Sequence, residues 1–95
     1  MPKGYLIATI RVLDQDGYER FRAASGSAIA AYGGKVLVRN PNPERREGKL
    51  DGITIVIEFD SLEAARRFYE SPEYTAARAL REKAAETDLL LVEGV

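Results

Sequence analysis

The chain contains no cysteine, no histidine and no tryptophan, and a single methionine among its 95 residues. Without cysteine it has no disulfide to staple it and no thiolate nucleophile. Without histidine it has no imidazole base, no histidine-based triad, and no histidine to ligate a metal or haem. No cofactor or metal is expected. Long apolar runs are missing too: no segment approaches the roughly 18 residues of a membrane span, and MPKGYLIATIRV lacks the small-residue cleavage site of a leader. A cytoplasmic protein is expected. Neither sign of charge is in excess, with 14 Lys and Arg against 15 Asp and Glu, so no overall field steers the chain to nucleic acid or an anionic membrane. Neither is expected as a partner. The length suits one domain over residues 1–95, whose core is modest because a chain of this size buries only about 60–65% of its extended surface.

What is present is regular alternation broken by two helical stretches. Tyr5–Val12 puts Leu6, Ala8, Ile10 and Val12 on one face and Tyr5, Ile7, Thr9 and Arg11 on the other, the pattern of a strand with one core face. Asp14 stands at an N-cap position, and Tyr18, Phe21, Ser25, Ala28, Ile29 and Tyr32 recur at helical spacing until Gly33-Gly34, predicting a helix over 15–32. Gly17 and Gly26 each weaken that helix by about 1 kcal/mol relative to alanine. Lys35–Arg39 and Ile53–Phe59 read as strands joined by the polar connection Asn40–Gly52, a solvated loop or else a lid or partner-contacting arm. Asp60 or Ser61 caps the next helix. Ser71-Pro72 interrupts it and restarts it, since proline suits the first turn of a helix and not its interior. Tyr74, Ala77, Leu80 and Ala84 form the expected apolar side of the restarted helix, with Arg78, Arg81, Glu82 and Lys83 solvated. That helix runs to about Glu86, and Leu89–Glu93 closes the chain as a fourth strand.

The order is β-α-β-β-α-β, which predicts a ferredoxin-like α+β fold: a four-stranded antiparallel sheet with the helices on one face. Alternation assigns Leu6, Ala8, Ile10, Val12, Val36, Val38, Ile55, Ile57, Phe59, Leu90 and Val92 to the helix side. The other face then holds Ile7, Leu37, Val56, Leu89 and Leu91 beside Tyr5, Arg39, Glu58 and Glu93. It is too apolar for water and contains charge that a dry core rejects unless paired. Two such faces packed together in a symmetric homodimer account for both properties.

The strings GYLIATIRV, YGGKVLVR, IVIEFDSLEAARRFYESPEYTAARALR and TDLLLVEGV, in that order, resemble the domain of unknown function 1330 family over essentially the whole chain. The resemblance implies a ferredoxin-like subunit of a dimeric α/β barrel, the architecture of antibiotic-biosynthesis monooxygenases, and no established reaction. The chain departs from the family pattern at Leu6 and Phe68, where tryptophan is common, at Asn40-Pro41 in place of a glycine pair, and at Leu50 in place of an aromatic.

No set of residues forms a recognisable catalytic machine. Arg39 and Glu58 are expected as neighbours on the open face, as a ligand-anchoring or base-bearing pair or as a plain salt bridge. Tyr5, Tyr69 and Tyr74 are the candidate hydrogen-bonding aromatics, or simply buried rings with wet hydroxyls. Three functions fit: a small-molecule-binding dimer working as a cofactor-free oxygenase or isomerase, a non-catalytic metabolite-binding module, or a structural dimer.

Overall fold

In the computed structural model, which describes residues 2–95, the chain runs β1 (Gly4–Val12), α1 (Gln15–Ala31), β2 (Lys35–Asn40), β3 (Ile53–Phe59), α2 (Leu62–Glu70), α3 (Pro72–Ala84) and β4 (Ala85–Glu93). The sheet has the order β2-β3-β1-β4, every pairing antiparallel. This is the ferredoxin-like arrangement. Its two central strands are the most apolar, and Leu6, Ala8, Ile10, Ile55, Ile57 and Phe59 are buried beneath the helices.

The helix boundaries follow local chemistry. Ser61 caps α2, its hydroxyl accepting from the Ala64 amide at 3.0 Å. Asp60 instead lies in water and reaches Lys3. Ser71 joins α2 to α3: its Oγ donates to the Phe68 carbonyl at 2.7 Å and accepts from the Tyr74 amide at 3.1 Å. It thereby satisfies one orphan group of each helix, and its extended backbone is the conformation a residue before proline prefers. The break directs Phe68 and Tyr74 towards each other, with ring centroids 4.5 Å apart. Every aromatic ring except Tyr5 belongs to the resulting chain of ring contacts, which runs from Tyr18 through Phe21, Tyr74 and Phe68 to Phe59, with Tyr32 and Tyr69 at its sides.

Two assignments from alternation are corrected. The fourth strand begins at Ala85, directly where α3 ends, and its register pairs Leu6 with Leu91 and Ala8 with Leu89. Leu89 and Leu91 therefore pack on the core while Leu90, 61% exposed, and Val92 point to the open face. Four successive apolar residues, Leu89–Val92, carry no alternation, so only the earlier Glu86 and Asp88, which pair with Arg11, identify the outward side. The second correction is a bulge in β2. Val36 faces Ile57, but Val38 pairs with Val56 and Arg39 with Ile55, so one extra residue lies between them. Beyond the bulge every side chain changes side: Val38 goes to the open face and Arg39 to the helix side.

The two weak points of α1 differ in kind. A Cβ on Gly26 would meet nothing, whereas one on Gly17 would lie 2.8 Å from the Ala84 Cβ. At this corner α1 docks on the end of α3, whose Ala84 carbonyl accepts from the Leu13 and Asp14 amides. Gly26→Ala is expected to stabilise the protein by about 0.5–1 kcal/mol and Gly17→Ala to destabilise it by about 1–3 kcal/mol. Urea midpoints check both, and a stable Gly17→Ala variant would contradict the close approach.

Candidate helix-side pocket

The bulge, α1 and α3 together build a pocket between the sheet and the helices. Its floor is apolar, from Leu6, Ala8, Ile10, Ile55 and Ile57, and its wall carries Tyr18, Arg22, Ser25, Arg39, Tyr74 and Arg81. The enclosed part has a volume of about 30 Å³. Tyr18, Arg22 and Arg39 also line an outer groove of about 380 Å³ running towards Pro41 and Ile53. These three side chains form the neck between the two spaces.

Arg81 dominates the interior. It is only 6% exposed, and its Nη1 donates to the Tyr74 hydroxyl at 2.6 Å. Its Nε is buried and, among the described residues, has no hydrogen-bond partner. The guanidinium carbon lies 5.6 Å from the centroid of the Phe21 ring and 6.0 Å from that of Tyr74, within cation–π range. Among the described residues no carboxylate lies within salt-bridge range of Arg81, Arg22 or Arg39, and the pocket lining contains no acidic residue. A charge this deep normally has an anion beside it. Electrostatics agree: burial pushes the Tyr74 phenol above its ordinary pKa, and Arg81 pulls it back. Burial likewise raises that of Tyr18, with Arg22 and Arg39 opposing.

The sequence candidates divide between three places. Tyr74 and Arg39 line the pocket. Tyr5 and Glu58 meet on the open face, the phenol donating to the carboxylate at 3.0 Å, and this bond raises the Tyr5 pKa. Tyr69 lies outside the pocket, its hydroxyl accepting from Arg78, whose guanidinium covers the ring. The expected Arg39–Glu58 pair is not formed: Glu58 lies opposite Lys35 while Arg39 lies farther along β3, opposite Ile55, and the bulge also turns Arg39 to the other face. Arg81, expected in solvent, is buried, and Leu80 is 37% exposed. One signal was available: on a helical wheel Arg81 falls between Tyr74 and Ala77, whereas Leu80 lies at the stripe's edge. Among the described residues no cluster of acidic side chains could hold a metal ion, and no helix is long and apolar enough to cross a membrane.

With this geometry in place, comparison with known proteins is informative. Residues 3–95 match the family described as domain of unknown function (DUF1330). The chain belongs to that family. No curated protein matches it. Among solved structures it is similar to a protein of unknown function from Rhodopseudomonas palustris, with 18% identity, TM-score 0.81 and coverage of 99% of this chain and 83% of that one. A dimeric ferredoxin-like protein of unknown function from Thermobifida fusca has 20% identity, TM-score 0.65 and coverage of 99% and 92%. The cofactor-independent oxygenase SnoaB from Streptomyces nogalater has 14% identity, TM-score 0.65 and coverage of 97% and 92%. At such identities the likeness establishes the fold of this DUF1330 member.

Because Arg39 and Glu58 lie on opposite faces, Arg39→Ala and Glu58→Gln are expected to change stability additively, within about 0.5 kcal/mol in a double-mutant cycle. A coupling clearly larger than that would restore the salt bridge and contradict the pairing of β2 with β3.

Proposed function

We propose that this protein is a small-molecule-binding homodimer in which each protomer seats its ligand in the helix-side pocket. The single observation that carries this reading is the Arg81 guanidinium, buried in that pocket with its Nε unpartnered. A chain stabilised by packing alone has no use for such a group, since an apolar side chain of similar volume at a buried ionic position is often as stable or more so. The pocket lining supports binding more than turnover. Its ionisable groups are arginines and phenols with raised pKa, none of which is a base near neutrality. A cofactor-free enzyme of oxygenase or isomerase type would have to take a substrate that needs no proton removed by these walls. Its support is the fold shared with SnoaB, which is analogy.

The homodimer is supported by the open face, where Ile7, Val38, Val56, Leu90 and Val92 make an apolar stripe bordered by the Tyr5–Glu58 and Arg11–Asp88 pairs. A second copy brings the same stripe and, through the two-fold, a matching border. The dimeric description of the Thermobifida fusca relative supports the same assembly.

Light scattering at micromolar concentration is expected to give twice the chain mass for the native protein and the single-chain mass for Leu90→Glu. In a chemically diverse thermal-shift screen, stabilising compounds are expected to lose their effect on Ser25→Met, whose larger side chain fills the pocket. A native monomer would overturn the assembly, and compounds that stabilise Ser25→Met equally would place the ligand elsewhere.

A further inference from the structure

The donors left free in the pocket have a definite geometry. Nη1 of Arg81 is occupied by Tyr74, so among the described residues the edge formed by Nε and Nη2 has no hydrogen-bond partner, its Nε being buried. That edge presents two parallel N–H groups, the fork that receives a planar two-oxygen anion side-on. The Tyr74 hydroxyl accepts from Arg81 and, among the described residues, donates to nothing, so its proton is available on the same side. Arg81 and Tyr74 thus offer donors at the inner end, while the Ser25 hydroxyl, which donates to the Arg22 carbonyl, can only accept.

We infer that the pocket selects a small monocarboxylic acid with an apolar body, its carboxylate on the Nε–Nη2 edge of Arg81. The inference rests on the pocket being the ligand site. Three features favour carboxylate over phosphate. The enclosed space of about 30 Å³, room for about two waters, suits a planar carboxylate better than a tetrahedral dianion with its ester oxygen. The floor of Leu6, Ile10 and Ile57, with the Phe21 ring, rewards an apolar chain or ring. Only one guanidinium is fully enclosed; Arg22 and Arg39 stand at the neck, where they draw an anion inwards and then face water beside the ligand body. The acid thus enters carboxylate first from the outer groove, past Glu19 and between Arg22 and Arg39, and its body lies on the apolar floor and against Tyr18.

Matched probes at constant ionic strength test this: benzoate and hexanoate, their amides benzamide and hexanamide, and phenyl phosphate, each titrated calorimetrically into the intact protein. The acids are expected to bind at least about tenfold more tightly than the amides, the margin of a charge-assisted bidentate contact. Arg81→Met is expected to abolish that preference, and Arg39→Ala to weaken the acids severalfold while keeping it. If Arg81→Met fails to fold, Arg81→Lys, which keeps the charge without the fork, is expected to lose most of the preference. Equal binding of acid and amide, tighter binding of phenyl phosphate, or a preference that survives removal of the fork overturns the carboxylate assignment. Amides that bind, with loss on Ser25→Met, would leave the pocket reading standing. Failure of every probe overturns the carboxylate assignment, and failure of the diverse screen as well removes the pocket reading with it.

Discussion

A guanidinium held away from water without a carboxylate is the most expensive group in this molecule, and the surrounding structure is arranged around it. Removing such a charge from water costs several kcal/mol even after relaxation. Here it is offset by one hydrogen bond to Tyr74 and by the faces of Phe21 and Tyr74. Tyr74 is itself set by the break at Ser71-Pro72, which starts α3 in the register that turns Tyr74, Ala77, Arg81 and Ala84 inwards, while Phe21 comes from α1. The Phe59, Phe68 and Tyr74 rings fill the space on the other side of the break. The kink is thus structural, and its consequence is the placement of Arg81.

The second determinant is one extra residue in an edge strand. Without the bulge between Val36 and Val38, Arg39 would point to the open face and a valine would occupy its place on the helix side. The pocket would then have a greasy neck, and the open face would carry an arginine. With the bulge, the open face keeps an apolar stripe suited to a second copy, and positive charge collects at the pocket's entrance. One irregularity serves both surfaces.

The fold was legible because it rests on features that survive local errors: two helical stretches, four apolar strands and the connections between them. The Ser71-Pro72 break, the glycine stop after α1 and the burial of Tyr18, Phe21 and Phe68 follow from spacing and backbone chemistry alone. The site was less legible, for two physical reasons. Lys35–Arg39 alternates without a glycine or any other mark of a bulge, so the change of side at Arg39 arises from pairing with β3. Arg81 has the spacing of a core residue and the chemistry of a surface one, and residue type outweighed position. Such conflicts between pattern and chemistry are where function is to be sought. Tyr74 and Arg39 lie together in the helix-side pocket, whereas Tyr5 and Glu58 meet on the open face.

The claim that Arg81 is an anion receptor is tested most directly by following its own Nε–H group in a ¹⁵N–¹H spectrum, assigned through its disappearance in Arg81→Lys, while benzoate is added. The account predicts that this resonance shifts and its proton exchanges more slowly as the acid binds. Binding of benzoate with the Arg81 signal unmoved, and shifts confined to Arg39 or the open face, would contradict it.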